Sequence, residues 1–220
     1  MCIRDRSLTP FDFADQVISK GLGLRHLVVG EDFCFGKGRS GTVKDLISLG
    51  SSMGFEVTIA ELMETEIGQV SSTSIRNALA EGRPNDAAKQ LGHWHRIEGV
   101  VIGGEQRGRE LGYPTANMSL DDLHLPHLGV YAVLVDVLNG EHVGSYNGVA
   151  SLGVRPMFGE NAPNLETFIF DFSGDLYGAT LSVALVEFMR PEIKFDSLES
   201  LIVQMDKDSL KSREILKSLK

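Results

Sequence analysis

The chain has 220 residues, which is enough for one large domain or two modest ones with a sizeable core. Its 42% hydrophobic and 23% charged residues are ordinary for a globular protein, and its formal net charge of -9 argues against general nucleic-acid binding, which needs a basic surface. Cys2 and Cys34 are the only cysteines and no apolar run approaches the roughly 20 residues that span a bilayer, so we expect a cytoplasmic protein that has no disulfide framework and does not associate with membranes.

The first 60 residues alternate between helix and strand signals. Thr9, followed by a proline at the first helical position, predicts the start of a helix that ends near residue 21. A short apolar run at residues 26–29 predicts a buried strand, residues 42–53 a helix and residues 55–59 a second strand. This order favours a parallel α/β unit that has too few strands to complete a sheet.

Residues 36–41 match the spacing G-x-G-x-x-G, which can mark a dinucleotide-binding loop. Several residues separate the match from the preceding predicted strand, so the tight strand–turn–helix of such a site is not formed. We therefore assign no dinucleotide site to this segment.

The next predicted helix covers residues 73–81, and a serine-rich segment lies at its start. Hydroxyl and amide groups at a helix start, with an arginine one turn in, form good anion-binding geometry. An ordinary N-cap beside a surface arginine explains the same residues, and the residue pattern alone favours that alternative. The residues concerned are Ser71, Ser72, Thr73 and Arg76.

The composition changes after another predicted helix at residues 85–91, where Gly92 is a stop signal. Residues 93–102 then alternate between apolar and polar side chains, and further short β runs follow. We therefore place a domain boundary near Gly92, between residues 1–92 and residues 93–220.

Two hairpins are predicted in the β-rich part. Residues 129–138 and 142–151 flank Asn139–Gly140, a strong two-residue turn signal. The second predicted hairpin joins residues 165–172 to residues 179–190 through a longer loop. With the strand that precedes them, these hairpins predict a closed or nearly closed antiparallel barrel.

Two C-terminal helices are predicted after the barrel. Asp196 and Glu199 have the spacing of a capping box for a helix at residues 197–205, and Asp208 can cap a terminal helix. Both helices should pack on the outside of the barrel.

A glycine-rich loop at residues 103–117 is the strongest candidate for a nucleotide-phosphate site. Its glycines allow the backbone to approach a ligand closely, its two arginines add cationic donors, and its threonine and asparagine offer neutral oxygens that suit Mg²⁺. A glycine-rich β-turn with surface arginines explains the pattern equally well from chemistry alone. The candidate residues are Gly104, Arg107, Gly108, Arg109, Gly112, Pro114, Thr115 and Asn117.

Glu166 is the candidate general base. Strand alternation places it on the same face as Phe168, Phe170 and Phe172. Loss of solvent on an aromatic face would make the carboxylate a better proton acceptor than a solvated glutamate. A residue at a strand end that reaches solvent is the alternative, and the pattern leaves both open.

The motif GYPTAN at residues 112–117, preceded by RGRELG, resembles the signature of the riboflavin kinase family. The similarity continues through the segments GVYA, SLGVRP, LETFIFDF and FMRPEIKF. Upstream, VVGEDFCFGKGRSG and VSSTSIR resemble the adenylyltransferase half of bacterial bifunctional riboflavin kinases and FAD synthetases. The resemblance covers nearly the whole chain beyond its first residues.

This resemblance implies two parts. Residues 1–92 would be the C-terminal half of a Rossmann-like FMN adenylyltransferase domain, with residues 1–7 non-native. Residues 93–220 would be a riboflavin kinase domain, a small six-stranded antiparallel barrel with C-terminal helices.

The resemblance also implies a reaction, in which ATP phosphorylates riboflavin to give FMN and ADP. Glu166 aligns with the glutamate that acts as base toward the ribityl hydroxyl, and Thr115 and Asn117 would hold Mg²⁺ with ATP. Flavin contacts would come from Arg155, Arg190 and Glu192. The residual adenylyltransferase site would comprise Gly30, Asp32, Phe33, Gly36, Ser71, Ser72, Thr73 and Arg76.

The sequence departs from the family at two points. None of the six histidines has the His-x-Gly-His spacing with which the adenylyltransferase superfamily stabilises a triphosphate, so FAD synthesis is expected to be lost. Met157 stands where the family usually has threonine. A catalytically inactive module that binds flavin or nucleotide is the alternative to an enzyme.

Overall fold

A computed structural model describes residues 7–104, 112–120, 123–157 and 160–219. The chain divides into two compact units, Met1–Val70 and Ser71–Lys220. This division lies upstream of the boundary that we expected near Gly92. The reason is that the helices before Gly92 make their tertiary contacts within the second unit.

The first unit begins with a helix that changes its winding. Helix α1 (Pro10–Asp12) starts at Thr9, whose hydroxyl accepts the Asp12 amide, and continues as a π-helix at Phe13–Ser19. The wider turns are visible in the bond from the Lys20 amide to the Asp15 carbonyl, 2.9 Å long. The predicted helix is thus confirmed in extent, while its π-helical winding was not foreseen.

A parallel strand pair follows. Strand β1 (His26–Gly30) pairs with β2 (Glu56–Ala60), and helix α2 (Val43–Met53) connects them, beginning at a capping box formed by Thr42 and Asp45. The expected burial of β1 is wrong, because among its residues Val29 alone is buried. A small hairpin of β3 (Glu64–Thr65) and β4 (Gly68–Gln69) completes the unit.

The second unit opens with two short helices, α3 (Ser72–Ala80) and α4 (Pro84–Leu91). Their apolar residues Ala78, Leu79 and Ala87 are buried together. The Leu79 carbonyl also accepts the backbone amide of His127 at 2.8 Å. These contacts attach the helix pair to the barrel unit.

Six antiparallel strands form the barrel, in the spatial order β5-β10-β7-β8-β9-β6. They comprise β5 (Arg96–Val100), β6 (Thr115–Ser119), β7 (Gly129–Val137), β8 (Gly144–Met157), β9 (Glu160–Ile169) and β10 (Thr180–Arg190). The edges meet where the Ile102 amide donates to the Asn117 carbonyl at 2.9 Å. The predicted nearly closed barrel is therefore confirmed.

The connections differ from the two predicted hairpins. Strands β7 and β8 do pair, but residues 138–143 connect them, and the Asn139 carboxamide binds Thr180 instead of closing a two-residue turn. Strands β9 and β10 do not pair at all. Because β8 and β6 occupy both edges of β9, the chain crosses the barrel end and β10 pairs with β7 and β5.

Apolar side chains that alternate along the strands fill the barrel. Fully buried members include Met118, Tyr131, Leu152, Leu165, Leu181 and Leu185. A second cluster covers the outer surface, where Leu216 packs with Ala132, Phe170 and Val186. The strands β7 and β10 are thus buried on both faces, which explains their nearly continuous apolar sequence.

Leu216 belongs to a single C-terminal helix, α5 (Leu198–Lys217), where we had predicted two helices. Ser197 is its N-cap, not Asp196, and Asp208 lies within the helix instead of at its start. The Asp208 carboxylate is buried against the Arg190 guanidinium, with a nitrogen–oxygen distance of 2.6 Å. No helix in the described residues is both long and apolar enough to cross a membrane.

The Arg190–Asp208 pair should contribute to stability mainly because breaking it leaves a buried charge. We expect Asp208→Ala to lower the free energy of unfolding by about 3 kcal/mol, in the range for one partner of a buried pair. Urea denaturation followed by the fluorescence of Trp94, which packs against the same outer cluster, measures this change. As control, Arg83→Ala breaks exposed ion pairs and should cost less than about 1 kcal/mol. Equal losses in the two variants would contradict the prediction.

Candidate active site

The pairing of β6 with β9 assembles the candidate site. Asn117 lies directly opposite Glu166, and Thr115 lies opposite Phe168. Directly opposed residues share a face of the sheet, and the intervening Ala116 points into the core. The register therefore places the predicted metal ligands and the predicted base on one outer face of the barrel.

Asn164 joins the two sides of this pairing. Its Nδ2 donates to Asn117 Oδ1 at 3.1 Å and to Glu166 Oε1 at 3.2 Å. The side chain is 8% exposed, and its Oδ1 has no hydrogen-bond partner among the described residues. Rotating the amide would place Oδ1 against the carboxylate, so the assigned orientation is the favourable one.

The Asn117 carboxamide is fixed from three sides. Its Oδ1 accepts from Asn164, and its Nδ2 donates to the Thr115 carbonyl at 3.2 Å. Gly104 packs so closely that an added Cβ would lie 2.6 Å from Asn117 Nδ2. A side chain at position 104 would therefore displace the end of the Asn117 side chain.

Tyr113 ties the loop before β6 to helix α5. Its ring packs on Phe168, with 4.9 Å between ring centroids, and its hydroxyl donates to the Asp206 carboxylate. Burial, with a smaller contribution from the Asp206 hydrogen bond, raises the pKa of Tyr113 to about 12. The phenol therefore remains a neutral donor through the physiological pH range.

A cavity of about 300 Å³ lies beside these residues. Its lining includes Thr115 and Asn117 together with residues 172–177 of the β9–β10 connection. Thr167, which points into the barrel, also lines the cavity, and its buried hydroxyl has no partner among the described residues. The cavity thus offers an unused polar group and the glycine-rich loop end to a ligand.

The predicted flavin contacts have different environments. Arg190 is engaged by Asp208, and it also donates to the Pro191 carbonyl at 3.0 Å. The Glu192 carboxylate lies against Gly153, where an added Cβ would collide with Oε1. Gly153 is paired with Asn164, so Glu192 covers the same outer face. The side chain of Arg155 lies outside the described residues.

Part of the predicted phosphate loop also lies outside the described residues, namely Arg107, Gly108 and Arg109. Gly112 has a φ of 82°, a left-handed torsion that suits glycine, and Pro114 lines the cavity. The described ends of the loop, at Gly104 and Gly112, thus lead directly to the candidate site.

The upstream candidates in the first unit form a tight loop after β1. The Phe33 amide donates to the Gly30 carbonyl at 3.0 Å, and the Phe33 ring stacks on Phe35. Asp32 Oδ1 lies close to Gly30, and Gly36, with φ of 72°, packs on Pro10.

The serine-rich candidates lie in the second unit, at the start of α3. Ser71 forms a capping box with Ser74 there, and Ser72, Thr73 and Arg76 follow within the helix.

Comparison with known proteins identifies the barrel unit. A family model described as riboflavin kinase matches residues 91–216, more than half of the chain. The chain belongs to the riboflavin kinase family. A second model, described as FAD synthetase, matches residues 5–74. The family expected from the motifs is therefore confirmed, and an FAD synthetase segment precedes the kinase domain.

Curated relatives match almost the whole chain. A bifunctional riboflavin kinase/FMN adenylyltransferase of Pseudomonas fluorescens is 41% identical over 96% of this chain and 67% of its own length. A protein of the same description from Escherichia coli is 37% identical over 97% of this chain and 69% of its own length. The chain spans about two thirds of the length of these relatives.

A solved structure shares the fold. The crystal structure of a macrolide-efflux protein from Streptococcus pneumoniae superposes with a TM-score of 0.80 at 36% sequence identity. The match covers 94% of this chain and 66% of that one.

Two residues of the site were not identified from the sequence. Asn164 shares the strand parity of Glu166, so the same alternation that selected Glu166 could have found it. Thr167 has the opposite parity and points into the core, where a threonine gives no functional signal. Phe172 was placed on the Glu166 face, but β9 ends at Ile169 and Phe172 packs against the barrel core.

The close approach of Gly104 to Asn117 can be tested directly. We expect Gly104→Ala to push the Asn117 carboxamide out of place and to weaken ADP binding in the presence of Mg²⁺ about tenfold, the worth of one charge-assisted contact. Calorimetric titration measures the affinity. Gly103→Ala is the matched control, because an added Cβ there meets nothing within 4 Å. Unchanged affinity in Gly104→Ala would show that Asn117 does not need its present position.

Proposed function

We propose that the barrel domain, residues 93–220, transfers the γ-phosphate of ATP to the 5′-hydroxyl of riboflavin, giving FMN and ADP. The observation that carries the proposal is the Asn117–Asn164–Glu166 cluster, in which a metal-ligand candidate and a base candidate share one hydrogen-bond donor. Such a cluster suits phosphoryl transfer, where positioning and charge neutralisation supply most of the rate.

The two substrates would approach this cluster from different sides. Nucleotide fits the cavity that Thr115 and Asn117 line, below the glycine-rich loop. Glu166 does not line that cavity and faces outward beside Asn164, where the flavin would bind. Arg155 and Glu192 are proposed flavin contacts on this face, whereas Arg190 would act mainly by holding α5.

The donor groups present fit Mg²⁺, which prefers oxygen ligands and commonly retains waters and nucleotide phosphates in its shell. Asn117 Oδ1 accepts one hydrogen bond from Asn164 and keeps a second lone pair for a cation. Thr115 contributes a hydroxyl on the same strand. A bound Mg²⁺ would neutralise charge on the transferred phosphate.

The proposed role of Glu166 is to accept the proton of the ribityl hydroxyl as that oxygen attacks phosphorus. The Asn164 amide orients the carboxylate for this task through a hydrogen bond from a neutral group. Thr115 and Asn117 would hold the Mg²⁺ that accompanies the nucleotide, and Arg107 and Arg109 are proposed to approach the phosphates from the loop. No covalent intermediate with the protein is needed.

Residues 1–92 are proposed to be part of an FMN adenylyltransferase domain. The chain is proposed to act in the cytoplasm, where ATP and riboflavin are available. Gly30, Asp32, Phe33 and Gly36 would be its nucleotide loop. The alternative, an inactive flavin-binding or nucleotide-binding module, would bind both ligands without turnover.

The base assignment predicts a specific loss of rate. Glu166→Gln keeps the shape and one acceptor for Asn164 but removes the proton acceptor, so turnover at saturating substrates should fall about a hundredfold or more. Riboflavin affinity should hardly change, because the side chain still fills the same space. Steady-state kinetics with chromatographic detection of FMN measures both quantities.

Glu98→Gln is the matched control for this variant. Glu98 lies on β5 and accepts from Ser182, away from the cluster, so its change should leave turnover at the wild-type level. A Glu166→Gln protein that retains wild-type turnover would remove Glu166 from the role of base.

The two activities of the bifunctional relatives should separate in this chain. The 220-residue chain contains no His-x-Gly-His motif, and binding without groups that stabilise the transition state gives little rate. We expect FMN formation from riboflavin and ATP, and negligible FAD formation from FMN and ATP. Chromatography of the two reactions decides among the proposals: abundant FAD would reveal an unidentified adenylyl-transfer site, and absence of both products would favour the inactive module.

A further inference from the structure

We propose that Asn164 is a positioning residue that fixes the metal ligand Asn117 and the base Glu166 in one rigid arrangement. The inference rests on the proposed kinase function. Asn164 is the one side chain seen to bridge these two residues in the described part of the site, and it does so with both protons of a single amide group.

The geometry explains what this bridge controls. A free asparagine can present either its oxygen or its NH₂ group to a cation, and only the oxygen binds Mg²⁺. Donation from Asn164 Nδ2 to Asn117 Oδ1, together with donation from Asn117 Nδ2 to the Thr115 carbonyl, selects one orientation of the Asn117 amide. The remaining lone pair of Oδ1 is then available to the cation.

The same amide sets the position of Glu166. Its second proton binds Glu166 Oε1 at 3.2 Å, so the carboxylate cannot rotate without breaking this bond. The Asn117 carboxamide and the Glu166 carboxylate are thus held by one planar group. Groups that hold metal ligands in this way typically affect metal affinity or activity about 10- to 100-fold when removed.

The burial of Asn164 distinguishes this role from a purely structural one. The residue is 8% exposed, and its Oδ1 has no partner among the described residues. Burial of an unpaired carbonyl oxygen destabilises a protein, and this cost offsets part of what the two hydrogen bonds of Nδ2 contribute to stability. An asparagine at this position is therefore explained by what its Nδ2 group holds in place.

The test compares three variants of the full chain. Asn164→Leu removes both donors and the unpaired oxygen, Asn164→Asp keeps the shape but loses the donors, and Asn164→Gln retains the amide. We expect Asn164→Leu and Asn164→Asp to lower kcat about 10- to 100-fold with little change in the KM for riboflavin. Asn164→Gln should keep most of the wild-type kcat. Asn147→Leu, on the neighbouring strand β8 and outside the cluster, is the matched control.

A second measurement does not depend on turnover. Calorimetric titration with ADP, with and without Mg²⁺, should show weaker binding to Asn164→Leu when Mg²⁺ is present and unchanged binding when it is absent. Thermal unfolding should show a midpoint for Asn164→Leu close to that of wild type, because removal of an unpaired buried oxygen offsets the loss of two hydrogen bonds.

Three results would overturn the proposal. Wild-type kcat and Mg²⁺-dependent ADP affinity in Asn164→Leu would show that the bridge is unnecessary. Equal weakening of ADP binding with and without Mg²⁺ would show that Asn164 shapes the cavity instead. Failure of both Asn164→Leu and Asn164→Asp to fold would make the residue structural. If wild type forms no FMN, the kinase proposal fails, while the ADP titrations still test the bridge.

Discussion

The pairing of β6 with β9 is the constraint on which the site depends. β6 is short, and it is held by β9 along one edge and by the Ile102–Asn117 bridge on the other. The β6–β9 pairing sets Asn117 opposite Glu166, and the Ile102–Asn117 bond that joins the barrel edges holds the other side of the same strand. Because strand side chains alternate, a shift of one residue in this register would send Asn117 into the core and bring Ala116 outward. Closure of the barrel and assembly of the site therefore depend on the same short strand.

The sequence was informative where a local pattern decides the structure. Alternation in β9 placed Glu166 on the same face as Phe168, and Thr9 marked a helix start correctly. Prediction failed where tertiary pairing decides. The run from β9 to β10 resembles a hairpin because a turn-forming segment separates two apolar strands, but the edges of β9 are already occupied. A sequence window contains no information about that competition.

Helix α5 shows a second limit of the same kind. Asp208 was interpreted as a helix cap because aspartate is common there, yet it lies inside a continuous helix of 20 residues. Its charge is balanced by Arg190, 18 positions upstream, which no local pattern reveals. Within the site, Gly104 was expected to allow a phosphate to approach the backbone closely. Its contact with Asn117 shows that a side chain also packs closely on it. Asn164 was missed because a single amide forms no motif by itself, although it shares the strand parity of Glu166.

Four side chains of α5 form hydrogen bonds to the barrel domain, and their spacing has a consequence for motion. Asp206 binds Tyr113 in the loop before β6, Asp208 binds Arg190 at the end of β10, Ser212 binds the Gly148 carbonyl in β8, and Arg213 binds Asp171 where the chain leaves β9. All four lie within about two helical turns. Local unfolding of that short stretch would release the phosphate-loop end and the cavity wall together, as a single cooperative unit. Helix α5, which has no proposed substrate contact, thus connects the end of the phosphate loop to three strands of the barrel.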